Sequence, residues 1–149
     1  MEDRYLFKAK RLDNGEWVQG NLVLSEDVYE AYKAIIIPKN NSNMSTGNSA
    51  GDLDFENWYK VDRDTICQCT GLKDKNGKLI WENDIMVAHL NKSYPDDKTY
   101  QKVIWNEGGF HSKIKGSEDI EPIDRFDQEW FEVIGNIFDN KELLESEEN

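Results

Sequence analysis

The stretch from Thr70 to Ile85, TGLKDKNGKLIWENDI, constrains the fold more than any other part of the chain. It has room only for two short strands, a tight turn between them and a corner directly after. Thr65 to Leu72 reads as the first strand, Lys73 to Gly77 as its turn and Lys78 to Trp81 as the return. Asn76-Gly77 sits where the turn needs left-handed backbone, which Asn and Gly adopt most readily. Glu82-Asn83-Asp84 then bends the chain again, and Ile85-Met86-Val87-Ala88 opens the next strand. Nothing in this segment is long enough to wind a helix.

Similar patterns recur on both sides. Tyr5, Phe7 and Ala9 alternate with Leu6, Lys8 and Lys10 in the period of a half-buried strand; Asp13-Asn14-Gly15-Glu16 turns it, and Trp17 to Leu24 returns. Ala34-Ile35-Ile36-Ile37, stopped by Pro38, is a continuous apolar run that suits a strand buried on both faces. Ser25 to Tyr32 reads equally as a helical turn or a connection, and Leu53 to Tyr59 as a short docking segment. Asn91 to Lys98 and Glu121 to Gln128 read as irregular. Tyr100 to Trp105, the turn Asn106-Glu107-Gly108-Gly109 and the alternating Phe110, Ser112 and Ile114 form another hairpin, with His111 on its polar face. Trp130 to Phe138 is a last strand interrupted by Gly135. Asp139 to Glu145 is a short helix, with Asp139 and Glu142 spaced as a capping box.

About eight strands against one or two short helices indicate a mainly β chain, β-rich α+β in class, with short antiparallel strands. A small barrel or a pair of packed sheets is expected, since closure removes exposed edges. At 149 residues the chain is one domain, 1–149, with possible sub-lobes 1–60 and 61–149. The Asn-, Ser- and Gly-rich stretch at about 39–52 reads as a flexible loop and as the best internal boundary.

Five Trp, six Tyr and six Phe in a chain only 38% hydrophobic argue against disorder and predict a core leaning on large rings. The net charge of −12 is concentrated at one end. Residues 107–149 hold thirteen acidic and four basic side chains, and the rest of the chain seventeen and fourteen. Such a surface repels phosphate backbones and is read as solvation, so nucleic acid is a possible partner but not a favoured one. No apolar run approaches the ~18 residues of a spanning helix, and Glu2, Asp3 and Arg4 follow Met1 at once; no membrane partner and a cytoplasmic location are expected. Cys67 and Cys69 lie two apart on one strand face, poor spacing for a disulfide, and read as buried thiols.

Candidate chemistry is sparse. Glu82 and Asp84 could act as an acid and base pair, but carboxylates at a corner more often accept hydrogen bonds from their own turn. Asp74-Lys75-Asn76-Gly77 begins like a calcium loop, yet its glycine comes too early and no ligand follows at the twelfth position. His89 and His111 have neither metal-ligand spacing nor a partnered nucleophile. No metal or cofactor is expected, and no catalytic residue is assigned. Lys73, Lys75 and Lys78 form a basic cluster on the hairpin, with Lys60 and Arg63 upstream and Trp58, Tyr59 and Trp81 nearby; they are the candidate nucleic-acid contacts.

Thr70, Gly71, Leu72, Lys73, Asp74, Lys75, Asn76, Gly77 and Lys78, followed by Ile80, Trp81, Glu82, Asn83, Asp84 and Ile85, resemble the signature of the YopX family of phage and prophage proteins. Phe7-Lys8, Val61-Asp62 and Thr65-Ile66 fall at matching places, and Val133 to Asn140, with Gly135 and Asn136, together with Glu142-Leu143-Leu144, is similar to the family's ending. Two positions depart from the pattern. Asn83 stands where the family usually has Gly, and Lys141 where it usually has Pro. Asn tolerates positive φ, so the first change should preserve the corner, while the second leaves capping to Asp139 or Asn140. The resemblance implies a bacterial host cell and a family without an assigned activity. By analogy, the corner at Glu82 to Val87 implies a Src-homology-3-like small barrel in the C-terminal half, beside an N-terminal β lobe.

Three functions are compatible with these residues. The first is a non-enzymatic accessory protein that binds or assembles with a phage or host protein, with self-association into a homo-oligomer possible. The second is a nucleic-acid-binding small barrel acting through the hairpin lysines. The third is a hydrolase using Glu82 and Asp84.

Overall fold

The structure is a computed structural model, and it describes residues 3–26, 33–39, 43–47, 50–89, 98–124 and 129–145. Most of Ser25 to Tyr32, parts of the 39–52 stretch, residues 90–97 and 125–128, and the His89 side chain lie outside the described residues. The chain divides into two compact units, Tyr5–Gln68 and Met1–Arg4 with Cys69–Asn149.

In the N-terminal unit, β1 (Phe7–Lys10), β2 (Trp17–Leu24) and β3 (Ala34–Pro38) pair antiparallel in sequence. Short strands β4 (Met44–Ser45) and β5 (Asp54–Phe55) form a separate ribbon, while β6 (Tyr59–Lys60) adds to the outer side of β3. Strand β7 (Cys67–Lys73) runs beside β1 through its first two residues. The core is one face of this sheet: Ala9, Ala34, Ile36 and Val61 are buried, with Val18, Leu22 and Ile66 packed on them. This unit continues past the boundary expected at residue 61. Val61 is a core residue, the Asp62 amide donates to the Lys10 carbonyl (2.8 Å) and the Lys10 amide donates to Thr65 Oγ1 (2.8 Å).

Within the stretch at 39–52, one side chain is firmly held. Asn43 is buried at 2% exposure; its Nδ2 donates to the carbonyls of Pro38 and Asn57, and its Oδ1 accepts from the Asn57 amide. That one side chain ties both ends of the β4–β5 ribbon together, a role that composition does not reveal.

In the C-terminal unit, β7 continues from Cys69 and pairs with β8 (Leu79–Trp81), with a register irregularity between Cys69 and Lys73. Gly71 lies inside that irregularity with φ +82°, the left-handed backbone a bulge requires. A five-stranded antiparallel sheet follows, from β9 (Asp84–His89), β10 (Lys98–Asn106), β11 (Gly109–Ile114), β12 (Ile120–Pro122) and β13 (Phe131–Asn136), in the order β12-β11-β10-β9-β13. Asn106 pairs with Gly109, and the two residues between them, Glu107 and Gly108, both have positive φ, as a type I′ hairpin demands.

Three expectations are corrected. The fold is mainly β and antiparallel, but the C-terminal sheet is open: β12 and β13 are opposite edges and do not pair with each other, so no closed barrel forms among the described residues. The C-terminal core is aliphatic rather than ring-based. Ile80, Met86, Ala88, Val103 and Val133 surround Phe131, and Trp81 is the only buried tryptophan among the described residues. Trp58, Trp105 and Trp130 are 44–52% exposed, because an indole placed at the margin of a small sheet buries its body and leaves an edge wet. The terminal helix is one 3-10 turn, Lys141–Leu144, capped at Asn140 without a side-chain capping bond. The N-cap is thus Asn140 rather than Asp139, and Asn140 Oδ1 accepts from the Asn136 amide.

Candidate functional site

Two polar side chains of the signature hairpin, Asp74 and Thr70, are spent on backbone. Asp74 is 4% exposed, and its Oδ1 accepts from the amides of Asn76 and Lys78 (both 2.9 Å) while Oδ2 accepts from the Val133 amide (2.9 Å). With the Lys75 amide donating to the Phe131 carbonyl (3.0 Å), this one carboxylate closes the turn and fastens it to β13. Thr70 Oγ1 donates to the Ile80 carbonyl (2.7 Å) and accepts from the Leu72 amide (3.1 Å).

The corner is built in the same way. Asp84, 2% exposed, accepts from the Trp81 amide (2.8 Å), and Asn83 takes φ +70° as its chemistry allows. Ile85 is fully buried beside it, and Glu82 is half-buried. The Asn83 amide donates to Val103 and its carbonyl accepts from Ile137, so the corner is held from β10 and from the end of β13. At that end a Cβ on Gly135 would overlap the Asn140 side chain, and Asn136 Oδ1 accepts from the amides of Phe138 and Asp139 (both 2.9 Å). Both cysteines are buried and form no disulfide. His111 Nδ1 lies 3.1 Å from the Gly109 carbonyl, and no cluster of three metal-ligating side chains occurs among the described residues.

The predicted basic cluster sits at the hairpin tip. Lys73, Lys75 and Lys78 are exposed, and Lys75 Nζ is 3.6 Å from Glu132. A second lysine group, not singled out by the sequence, is set by register. Lys102 and Lys113 lie directly opposite each other on β10 and β11, and with Lys115 they line a concavity of about 350 Å³. Like charges placed opposite one another destabilise a strand pair, and neither local spacing nor composition exposes this pairing before β10 and β11 are aligned.

An exposed apolar groove lies in the N-terminal unit. Val23 and Ile35 are register partners on β2 and β3, and with Ile37 they form the sheet face opposite the core. Phe55 and Trp58 wall this face to make a groove of about 480 Å³ lined entirely by apolar side chains. Ala34-Ile35-Ile36-Ile37 was expected to be buried on both faces. Ala34 and Ile36 are in the core and Ile37 is also buried although it lines the groove; Ile35 is only half-buried, and Val23 and Trp58 beside it are 46% and 45% exposed. Asp52, Asp54 and Glu56 alternate with Leu53 and Phe55 along the adjoining segment and give it an acidic flank. No helix among the described residues is long and apolar enough to cross a membrane.

The comparisons agree with this fold. The crystal structure of protein EF1440 from Enterococcus faecalis is similar, with 25% identity, 93% of this chain and 96% of that chain covered, and a TM-score of 0.61. No curated protein matches the chain. The YopX protein family matches residues 6–145, which include the hairpin, the corner and the Gly135-Asn136 ending; the chain therefore belongs to the YopX family.

Proposed function

We propose that this chain is a non-enzymatic protein-binding module, an accessory protein of a phage or prophage working in the cytoplasm of the bacterial host. The observation that carries the reading is the apolar groove of Val23, Ile35, Ile37, Phe55 and Trp58. A strand as apolar as β3 gains from cover on both faces, and a partner seated in the groove would complete it for half-buried Ile35 and cover the exposed Val23 and Trp58. The acidic flank of Asp52, Asp54 and Glu56 selects the partner's chemistry: a protein segment with two or three large apolar side chains next to Lys or Arg. Exposed tryptophan at such a groove is a common interface anchor.

Photo-crosslinking tests this. A benzoylphenylalanine placed at Phe55 and expressed in prophage-carrying cells should cross-link to one partner whose captured segment is apolar and flanked by basic residues. Cross-links only to copies of this chain would replace the reading with homo-oligomerisation, checked by molecular mass across a dilution series. An absence of cross-links above those of a control at Leu12 would end it.

The second reading, nucleic-acid binding, has one observation in its favour: the opposed Lys102 and Lys113 with Lys115 at hand, to which the hairpin lysines would add. The Src-homology-3-like comparison belongs to this reading alone. It requires oligonucleotide affinity that falls steeply with salt and on Lys102→Glu with Lys113→Glu; no binding at low salt removes it. The hydrolase reading has less support, because Asp84 is held by the Trp81 amide.

A further inference from the structure

The inner face of the five-stranded sheet is largely apolar, but two of its mid-strand buried residues are polar. Gln101 on β10 and Ser112 on β11 are 6% and 5% exposed, on the face that also carries Met86, Val103 and Phe131. Buried polar side chains are normally paired, and no fully buried side-chain polar atom among the described residues lacks a partner, so an unbonded group on this face opens onto the cleft. Gln101 Nε2 donates to Thr99 Oγ1 (3.2 Å), which leaves its Oε1 as an acceptor, and Ser112 Oγ has no hydrogen-bond partner among the described residues. Both side chains line a cleft of about 270 Å³, with Ala88 and Phe131 at its apolar side and Glu121, Pro122 and Trp130 around it. Glu121 is fixed there by register, opposite Ser112 on β12.

The groups offered to a ligand are an amide oxygen, a hydroxyl and a carboxylate, all able to accept, together with the half-exposed ring of Trp130. Their complement is a flat cation that only donates. A guanidinium has five donors and no acceptor, and it stacks on indole; an ammonium has no plane to lay on the ring. The surroundings favour positive charge, since 117–124 carries Glu118, Asp119, Glu121 and Asp124 and no Lys or Arg. We propose that this cleft is a guanidinium pocket, which receives the side chain of an arginine presented by another protein. Its alkyl stem would lie on Ala88, Pro122 and Phe131, and its head would reach Gln101 Oε1, Ser112 Oγ and Glu121. The pocket shares no residue with the groove, so it stands or falls independently of the function proposed above.

Titration of the full chain with N-acetyl-arginine amide, followed by amide and indole NMR shifts, tests the pocket. Saturable shifts are expected at the Gln101 side-chain amide, the Ser112 amide and the Trp130 indole, with a Kd of about 1–10 mM for so small a probe. The citrulline analogue, nearly the same shape without the charge, should bind at least about tenfold more weakly, and the lysine analogue several-fold more weakly. Glu121→Gln should weaken arginine binding about tenfold and Ser112→Ala about threefold, with the rest of the spectrum unchanged as evidence of an intact fold. Equal binding of arginine and citrulline analogues, equal binding of arginine and lysine analogues, shifts confined to other residues, or no saturable shift by about 50 mM would each overturn the proposal.

Discussion

The two units treat their most conspicuous residues in opposite ways. In the C-terminal unit the charged and polar residues of the signature, Asp74, Asp84 and Thr70, turn inward and are used up on backbone amides and carbonyls. In the N-terminal unit, outside the signature, apolar residues Val23 and Trp58 turn outward around a groove. A family signature rich in titratable groups here marks how the chain turns, whereas the exposed apolar groove lies outside it. Carboxylates at a turn have local employment; an apolar sheet face acquires a partner only from beyond it.

This contrast can be broken by mutation, and the largest effect belongs to Asp74. Asp74→Ala removes a buried acceptor from three amides and should destabilise the protein by about 3–5 kcal/mol, measured by urea unfolding. A loss below about 1 kcal/mol would mean that the hairpin clamp is decorative. Gly135→Ala, which drives a Cβ into the Asn140 side chain, should cost about 1–3 kcal/mol and disturb the turn amides of Phe138 and Asp139. Asn83→Ala forces alanine to φ +70° and should cost about 1 kcal/mol, while Asn83→Gly should be neutral or slightly stabilising. By contrast Trp58→Ser, at the exposed wall of the groove, should change stability by only about 1 kcal/mol or less while abolishing partner binding.

The smallest effect sits on the first hairpin, where the Arg11 guanidinium donates to Asp13 at 2.6–2.9 Å. That hydrogen bond, with the nearby positive charge, holds the Asp13 carboxyl below its usual range. A depressed folded-state value contributes stability above the unfolded-state value, and that contribution is lost as pH falls through the folded one. Because the pair is solvent-exposed, the effect on stability should be slight. NMR titration should place Asp13 below an unpaired aspartate in the wild type and return it to normal in Arg11→Met.

Much of the backbone is legible in the amino acids themselves. Turns at Asn14-Gly15 and Glu107-Gly108 fall where expected, β2 has the predicted bounds of Trp17–Leu24, and Asn83 adopts the positive φ that its place at the corner requires. These features are local, so a few adjacent residues suffice to encode them. The open sheet, the buried Asn43, the opposed Lys102 and Lys113 and the polar interruption at Gln101 and Ser112 depend on residues far apart in the chain. Register decides them, and register is a property of paired strands rather than of either strand alone. The groove is an intermediate case. The apolar run of β3 announces burial on both faces, and Ile36 and Ile37 are buried, but nothing in the run says that Ile35 stays half-buried beside the exposed Val23 and Trp58.

Selection from a random peptide library puts the contrast between signature and groove to its most direct test, using three proteins: wild type, the groove variant Val23→Ser with Trp58→Ser, and the hairpin variant Lys73→Glu, Lys75→Glu and Lys78→Glu. If the groove is the working surface, peptides with large apolar residues beside Lys or Arg will bind the wild type and the hairpin variant alike, and the groove variant at least about tenfold more weakly. Peptides that survive the groove changes and are lost with the hairpin lysines would contradict this and return function to the signature.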